Sequence, residues 1–432
     1  MFHSFFPKPR LYFISFAVWG LFCVIAWFVA GRDLGSSLSL GNVLGFAYPE
    51  PLAADADKVA KDAFAAAQKW AVSIWYYQYL TISFLAFVVF WMRYSPHKWM
   101  WWSVGGSALI VFVTWYQVQV DVMLNAWFGR FYNTIQKALA KPDNIEPDEF
   151  WEHIWFFLAI VMVYMVVAVL NGFFTKHYTF RWRTAMNDFY MERWDRLRDI
   201  EGASQRVQED AKRFAIITES LGGRFLDAVM TLLAFLPILW VLSEQVKVLP
   251  VLGEMPKGLV FVAILWALGG TVLLASVGIK LPGLEFRNQR VEAAYRKELV
   301  LGEDHETRAQ PPTIAELFNN VRVNYFRLFF HYMYFDVARY SYLQFSVLVP
   351  YMALAPTIIA GTITLGVMQQ IVRAFGKVEA SFQFLVHSWT TIVELISIYK
   401  RLAAFEATLQ DRELGSIEHE PFEPGIGQQP AE

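Results

Sequence analysis

The chain has 432 residues, of which 56% are hydrophobic and only 18% charged, with a net charge of -2 and a mean hydropathy of +0.33. Soluble domains carry about 25% charge, so this balance excludes an ordinary soluble globule, while the net charge says little about partners. A single cysteine, Cys23, excludes an intrachain disulfide and reads as packing within an apolar run.

Lys8 and Arg10 precede the first apolar run, Leu11–Ala30. It is longer than a signal-peptide core and long enough to span, so it reads as an uncleaved first span. Pro51–Trp70 is Ala-rich with interspersed Asp and Lys, a short amphipathic helix expected near the outer interface. Further spans are expected at Ala71–Met92, Ser103–Met123, His153–Phe173, Leu221–Leu242, Gly258–Ile279, Ser341–Thr364 and Phe384–Ile398. Pro350 and Pro356 should kink the seventh. The eighth is short and polar, with Glu394 inside it.

Eight spans place both termini on one side. Lys8, Arg10, Arg93, Lys98, Lys400 and Arg401 all fall beside spans on that same side, which the positive-inside rule makes cytoplasmic. The two long stretches Lys176–Arg213 and Lys280–Arg339 are charged yet rich in helix formers. The spanning helices are therefore expected to continue into the cytosol and to turn back near Gly202–Asp210 and Gly302–Thr313. Long helices with two internal turns over six core spans match the plan of an ABC exporter membrane domain. The last apolar segment ends near Tyr399, and the remainder to Glu432 is shorter than the roughly 100 residues a nucleotide-binding domain needs. No G-x-x-x-x-G-K-[ST] phosphate loop occurs; the Gly376-Lys377 pair lacks the upstream Gly and the following hydroxyl. The expectation is an exporter-like core without an ATPase domain. The tail after Gly415 is proline-containing and poor in apolar residues, which predicts disorder.

Several runs carry a more specific resemblance. Phe180-Arg181-Trp182-Arg183-Thr184-Ala185-Met186-Asn187, Ile200-Glu201-Gly202-Ala203, Gln205-Arg206-Val207-Gln208-Glu209-Asp210, Gly278-Ile279-Lys280-Leu281-Pro282-Gly283-Leu284-Glu285-Phe286 and the stretch Asn288–Val300 resemble the SbmA/BacA peptide transporters, with the α-proteobacterial BacA branch the nearer. Pro51–Lys69 and the tail beyond Leu409 fit the pattern least. The resemblance implies an inner-membrane homodimer of eight-span protomers that imports antimicrobial and related peptides on the proton gradient. It also implies that a series of glutamates carries the protons.

A proton-coupled carrier needs groups that titrate inside a gated cavity, and low-dielectric surroundings bring carboxylates into the physiological range. Intramembrane carboxylates are costly, which makes each a functional candidate. On a helix, residues 7, 11 or 18 apart return to nearly one face, which groups Glu285, Glu292 and Glu303, and Glu201 with Glu219. Proton-coupling candidates are Glu201, Glu209, Glu219, Glu285, Glu292, Glu298, Glu303 and Glu394. For Glu201, Glu209, Glu298 and Glu303, which lie among arginines, the competing reading is a solvated ion pair. Glu394 has the apolar neighbours Ile392, Val393, Leu395 and Ile396. Asp121 lies toward the outer end of the third span. Cavity or gating candidates are Gln205, Arg206, Arg290, Tyr295 and Arg401, and Arg181, Arg183 and Arg296 are either carboxylate partners or orientation signals.

Enzymatic patterns are absent. No paired-His spacing points to zinc, no G-x-S-x-G elbow occurs, and no cofactor or metal is called for. The basic stretches are interrupted by acids and lie beside spans, which argues against nucleic acid. The expected organisation is residues 1–102 as additional N-terminal spans, 103–410 as the exporter-like core, and 411–432 as a disordered tail. The expected protein is an all-α polytopic secondary transporter, not an enzyme, with peptides, protons, the bilayer and a second copy as partners. Two alternatives stand: the membrane half of an ABC transporter working with a separate ATPase, and a membrane factor in lipid or envelope modification.

Overall fold

The computed structural model describes residues 1–44, 48–49, 58–141, 145–198, 200, 203–246, 248–250, 253–305, 307–407 and 409. Helix α1, Pro9–Ala26, runs into a wider π turn at Trp27–Gly31. The short helices α2 (Gly35–Leu38) and α3 (Gly41–Leu44) precede α4, Lys58–Tyr94. A second π turn, Trp101–Gly106, opens α5, Ser107–Ala140, and α6 covers Pro147–Met191. Then come α7 (Trp194–Leu197), α8 (Ala203–Gln205), a third π turn at Arg206–Asp210 and α9, Ala211–Leu242. Two antiparallel residue pairs, β1 (Val248–Leu249) with β2 (Gly253–Glu254), form the strand pairing among the described residues. The chain continues as α10 (Gly258–Gly278), α11 (Leu281–Asp304), α12 (Pro311–Ile359), α13 (Leu365–Phe382) and α14 (Phe384–Ala407).

Local chemistry sets these boundaries. Proline opens α1, α6 and α12, where its missing N–H costs nothing and its fixed φ suits the first turn. Thr364 caps α13 by accepting from the Val367 amide, and Gly361 turns the chain at φ +64° just before it. The helix α12 continues through Pro350 and Pro356. Each proline leaves the carbonyl four residues back, at Ser346 and Met352, without its helical partner.

Seven helical segments among the described residues are long and apolar enough to cross a membrane: Pro9–Gly31, Ala63–Tyr94, Trp101–Ala140, Pro147–Met191, Ala203–Gln245, Gly258–Glu303 and Pro311–Ile359. They contain the first six expected spans; the seventh, Ser341–Thr364, lies in α12 only as far as Ile359, because the chain leaves the helix for the turn at Gly361. The expected eighth, Phe384–Ile398, falls inside α14 but outside these seven, because Ser388, Thr390, Thr391, Glu394 and Ser397 lower its hydropathy. Several segments far exceed the roughly 20 residues a bilayer needs. The expected helical extensions are therefore present. The expected first turn at Gly202–Asp210 is not where the chain reverses: α6 ends at Met191, and Ala203–Asp210 is already helical and runs into α9. The second reversal, between the end of α11 at Asp304 and the start of α12 at Pro311, falls inside the expected Gly302–Thr313. The expected outer helix at Pro51–Trp70 is described only from Lys58, where it is already α4; the tail 411–432 lies outside the described residues.

The chain forms two compact units. The first comprises Met1–Phe112, Asn171–Ala215 and Lys400–Glu432. Its core is aromatic: Phe5 stacks on Trp182 at 5.5 Å, and Phe2 meets Phe214 edge-on at 5.2 Å. Tyr12 packs between Phe87 and Trp91. The second unit comprises Val113–Leu170 and Ile216–Tyr399. There α9, α10, α12 and α13 share a core of Phe235, Leu239, Leu259, Ala263, Leu354, Ile371, Phe375 and Val378. Small residues on α10 permit close approach, as in many membrane interfaces. A Cβ on Gly270 would lie 2.1 Å from Cζ of Tyr342.

Candidate functional site

In the second unit, α13 is an amphipathic helix whose apolar row, Ile371, Phe375 and Val378, faces the core. Glu379 lies on that same row, only 7% exposed. Its Oε1 accepts hydrogen bonds from the Tyr342 hydroxyl at 2.8 Å, the Ser346 hydroxyl at 2.5 Å and the Gln383 amide at 2.9 Å. All three donors are neutral. Trp266 of α10 donates to Ser346 Oγ at 2.7 Å and stacks on Tyr342 at 5.3 Å. His387 of α14 extends the row, with Nε2 3.2 Å from Oε1 of Gln383.

The opposite side of α13 is cationic. Lys377 pairs with Asp121 of α5 at 2.5 Å, and Arg373 stacks over the Phe128 ring at 3.9 Å. Asp227 of α9 lies within electrostatic reach of both Lys377 and Asp121. These groups share a level. At 1.5 Å per residue, Glu379 is about 21 Å along α13 from Leu365, Ser346 about 20 Å along α12 from Ile359, and Asp227 about 22 Å along α9 from Leu242. The start of α13 is tied to α5, since the Leu365 and Gly366 amides donate to Gln136 and Asn133.

The sequence-derived candidates distribute unevenly. Glu201 lies outside the described residues. Glu209 is exposed and pairs with Arg213 at 3.3 Å, as the ion-pair reading expects. Glu298 ties the α11–α12 turn, pairing with Arg308 at 2.9 Å and accepting from the Ala309 amide at 3.1 Å. Ala309 holds a left-handed φ of +52°, and the glutamate caps that strained corner. Glu303 is exposed near the same turn, whereas Glu219, Glu285, Glu292 and Glu394 are half-buried on α9, α11 and α14. Glu285 lies within electrostatic reach of Tyr332 on α12.

Two gating candidates converge in the first unit on a carboxylate that the sequence reading passed over. Asp210 is buried at 2% exposure and takes Arg401 at both oxygens, Nε at 3.0 Å and Nη2 at 2.7 Å. Arg206 joins at 3.4 Å across one π turn. Nearby in the chain, Tyr190 donates to Glu406 at 2.9 Å. Gln205 and Arg290 are exposed, and Tyr295 packs on Phe318 at 5.7 Å. Asp210 and Glu379 were both missed. The signal for Glu379 was available: a carboxylate four residues after Phe375 and eight after Ile371 falls on the apolar stripe.

Among the described residues no group of three or more His, Cys, Asp or Glu could hold a metal ion. The model of the SbmA/BacA-like family matches residues 96–410, most of the chain. The chain belongs to this family. Curated relatives of this SbmA/BacA family member include the inner membrane ABC transporter ATP-binding protein YddA of Escherichia coli, 25% identical over 68% of this chain and 55% of the relative. Others are an uncharacterized ABC transporter ATP-binding protein of Synechocystis, 24% identical over 72% of this chain and 47% of the relative, and ABC transporter D family member 2 of Arabidopsis thaliana, a chloroplast protein, 23% identical over 66% and 40%. The chain thus spans about half the length of the curated relatives it matches. With seven helices long and apolar enough to span, this family member is a multi-pass membrane protein.

Proposed function

We propose that this SbmA/BacA family member imports peptides across the bacterial inner membrane on the proton gradient, as a homodimer with both termini cytoplasmic. The observation that carries the reading is the layer of carboxylates, Asp121, Asp227 and Glu379, at one level within apolar helices. A charge at membrane depth is expensive unless it faces a polar cavity or has a proton to exchange. Asp227 is exposed on the single chain, and lipid would not tolerate it there. A water-filled path enclosed by a second copy would. The composite segment Leu365–Ala407, broken only at Gln383, supplies the eighth crossing in this reading. Its polarity suits a helix that lines a path rather than lipid.

The names of the relatives support a second reading, in which the membrane part works with an ATPase. Purified full-length protein in liposomes separates the two. Peptide accumulation under an imposed inward pH gradient without ATP is the expected result. Accumulation only with ATP and an added ATPase partner, at any gradient, would overturn it. For orientation, cysteines placed at Ser4 and Gly415 in a Cys23→Ser background should resist an impermeant label in intact cells.

A further inference from the structure

Arg373 of α13 has no anion in contact. Its guanidinium lies 3.9 Å over the Phe128 ring of α5, and its Nε is buried with no hydrogen-bond partner among the described residues. No other arginine among the described residues has a buried nitrogen in that condition. Asp121 of α5 and Tyr132 lie within its electrostatic reach, but Asp121 already holds Lys377 at 2.5 Å. Asp227 of α9 lies in reach of that pair. The local acids are thus gathered around Lys377, one turn further along the helix.

A guanidinium carries five N–H donors in a planar fork and accepts nothing. A donor left buried and unpartnered is costly, more so on a charged group. A cation within a membrane crossing is kept where it meets a counter-charge or a polar cavity. The stack on Phe128 does not meet that need, because the ring covers a face of the guanidinium while the donors lie in its edge. It does hold the plane in place. Close packing of α5 and α13 holds the stack in turn: a Cβ on Gly129, beside Phe128, would lie 2.2 Å from Nε2 of Gln370. Arg373 itself is half-buried, which leaves part of the residue accessible. A fixed guanidinium edge is the complement of a planar, two-oxygen anion, which is a carboxylate.

We infer that Arg373 binds the free C-terminal carboxylate of the transported peptide, its guanidinium edge donating to the two carboxylate oxygens while Phe128 holds the plane. The ligand rests on the peptide reading above; the site does not depend on the proton gradient.

The test reads binding and transport separately, on full-length protein in lipid nanodiscs and in liposomes. Two labelled alanine peptides of equal length, each with a free amino terminus, differ only in ending with a carboxylate or an amide. Binding is read as the probe concentration that gives half the maximal stabilisation against heat. The wild type should bind the carboxylate probe at least about tenfold more tightly, the usual worth of a charge-assisted hydrogen bond. Arg373→Gln should weaken that probe by the same factor and leave the amide probe within about twofold of its wild-type binding. Arg373→Lys keeps the charge but loses the fork, and should show a smaller preference of the same sign. Equal binding of the two probes by the wild type, binding of neither, or a preference that survives Arg373→Gln would overturn the inference. Equal losses for both probes in Arg373→Gln would also overturn it, and would assign the guanidinium to packing on Phe128. Comparing the probes on the wild type decides the point even where Arg373→Gln does not fold. A carboxylate preference that Arg373→Gln abolishes, without accumulation of either probe under a pH gradient, refutes the proton-driven reading and leaves the site standing.

Discussion

Removing Arg401 should harm the fold more than removing the carboxylate it binds. Asp210 is buried and receives two hydrogen bonds from Arg401, with Arg206 as a more distant second cation. Breaking a buried pair from one side typically costs about 3–5 kcal/mol, because the surviving charge is left without compensation. Here the Arg401 side chain is 36% exposed and Arg206 remains. Solvent and the second arginine both reduce the loss, to about 2–3 kcal/mol for Arg401→Met. Asp210→Asn leaves two arginines that can reach water and an amide that still hydrogen-bonds, so about 1 kcal/mol is expected. The double variant should cost less than the sum, with a coupling of about 1–2 kcal/mol. Thermal unfolding of detergent-solubilised protein, followed by loss of the monodisperse species, ranks the three. If Asp210→Asn is the more damaging single change, or if the two changes simply add, the assignment of Asp210 as the desolvated partner is wrong.

Three further outcomes follow from the same geometry. Glu→Gln changes at Glu219, Glu285, Glu292 and Glu394 should each slow gradient-driven uptake while leaving expression intact, with Glu→Asp retaining more activity; normal rates in all four would remove them from the proton path. Glu298→Gln should leave the pH dependence of uptake unaltered and lower stability by about 1 kcal/mol, because its partners Arg308 and the Ala309 amide belong to a turn; a shifted pH profile would restore it as a coupling residue. Gly270→Val places carbon atoms where the Tyr342 ring stands, and should destabilise by about 1–3 kcal/mol in thermal unfolding; a silent substitution would mean that Tyr342 does not need that approach.

The spanning helices were legible because hydropathy acts locally. Each of the first seven runs is apolar for about 20 residues, and no distant residue changes that requirement. The long extensions were legible for a related reason: Lys176–Arg213 and Lys280–Arg339 combine charge with helix formers and offer few breaks. The segment 365–383 was read as a connection because Arg373, Lys377 and Glu379 lower its hydropathy. What makes it a packed helix is a three-sided burial by α9, α10 and α12, which the local sequence does not contain. The partners of Glu379, Tyr342 and Ser346, lie 37 and 33 residues away. Likewise Asp210 and Arg401 are separated by 191 residues. Sequence spacing identified acidic residues on shared helical faces, but only the folded chain distinguishes Glu298, satisfied by a turn, from Glu379, satisfied by neutral donors in the core.

That distinction bears on the choice between the proton-driven reading proposed above and the ATP-driven one. An ATP-driven membrane part receives its force at the cytoplasmic turns and has no need of charge at mid-depth. A proton-driven one must convert occupancy of a carboxylate into movement of a helix. The conversion requires a charge whose surroundings change in strength on neutralisation, and helices able to yield at that level. Asp210, buried and bound at both oxygens by Arg401, is a structural ion pair. Glu379 is held instead by neutral hydroxyl and amide donors, between α12 at Pro350 and the break before α14.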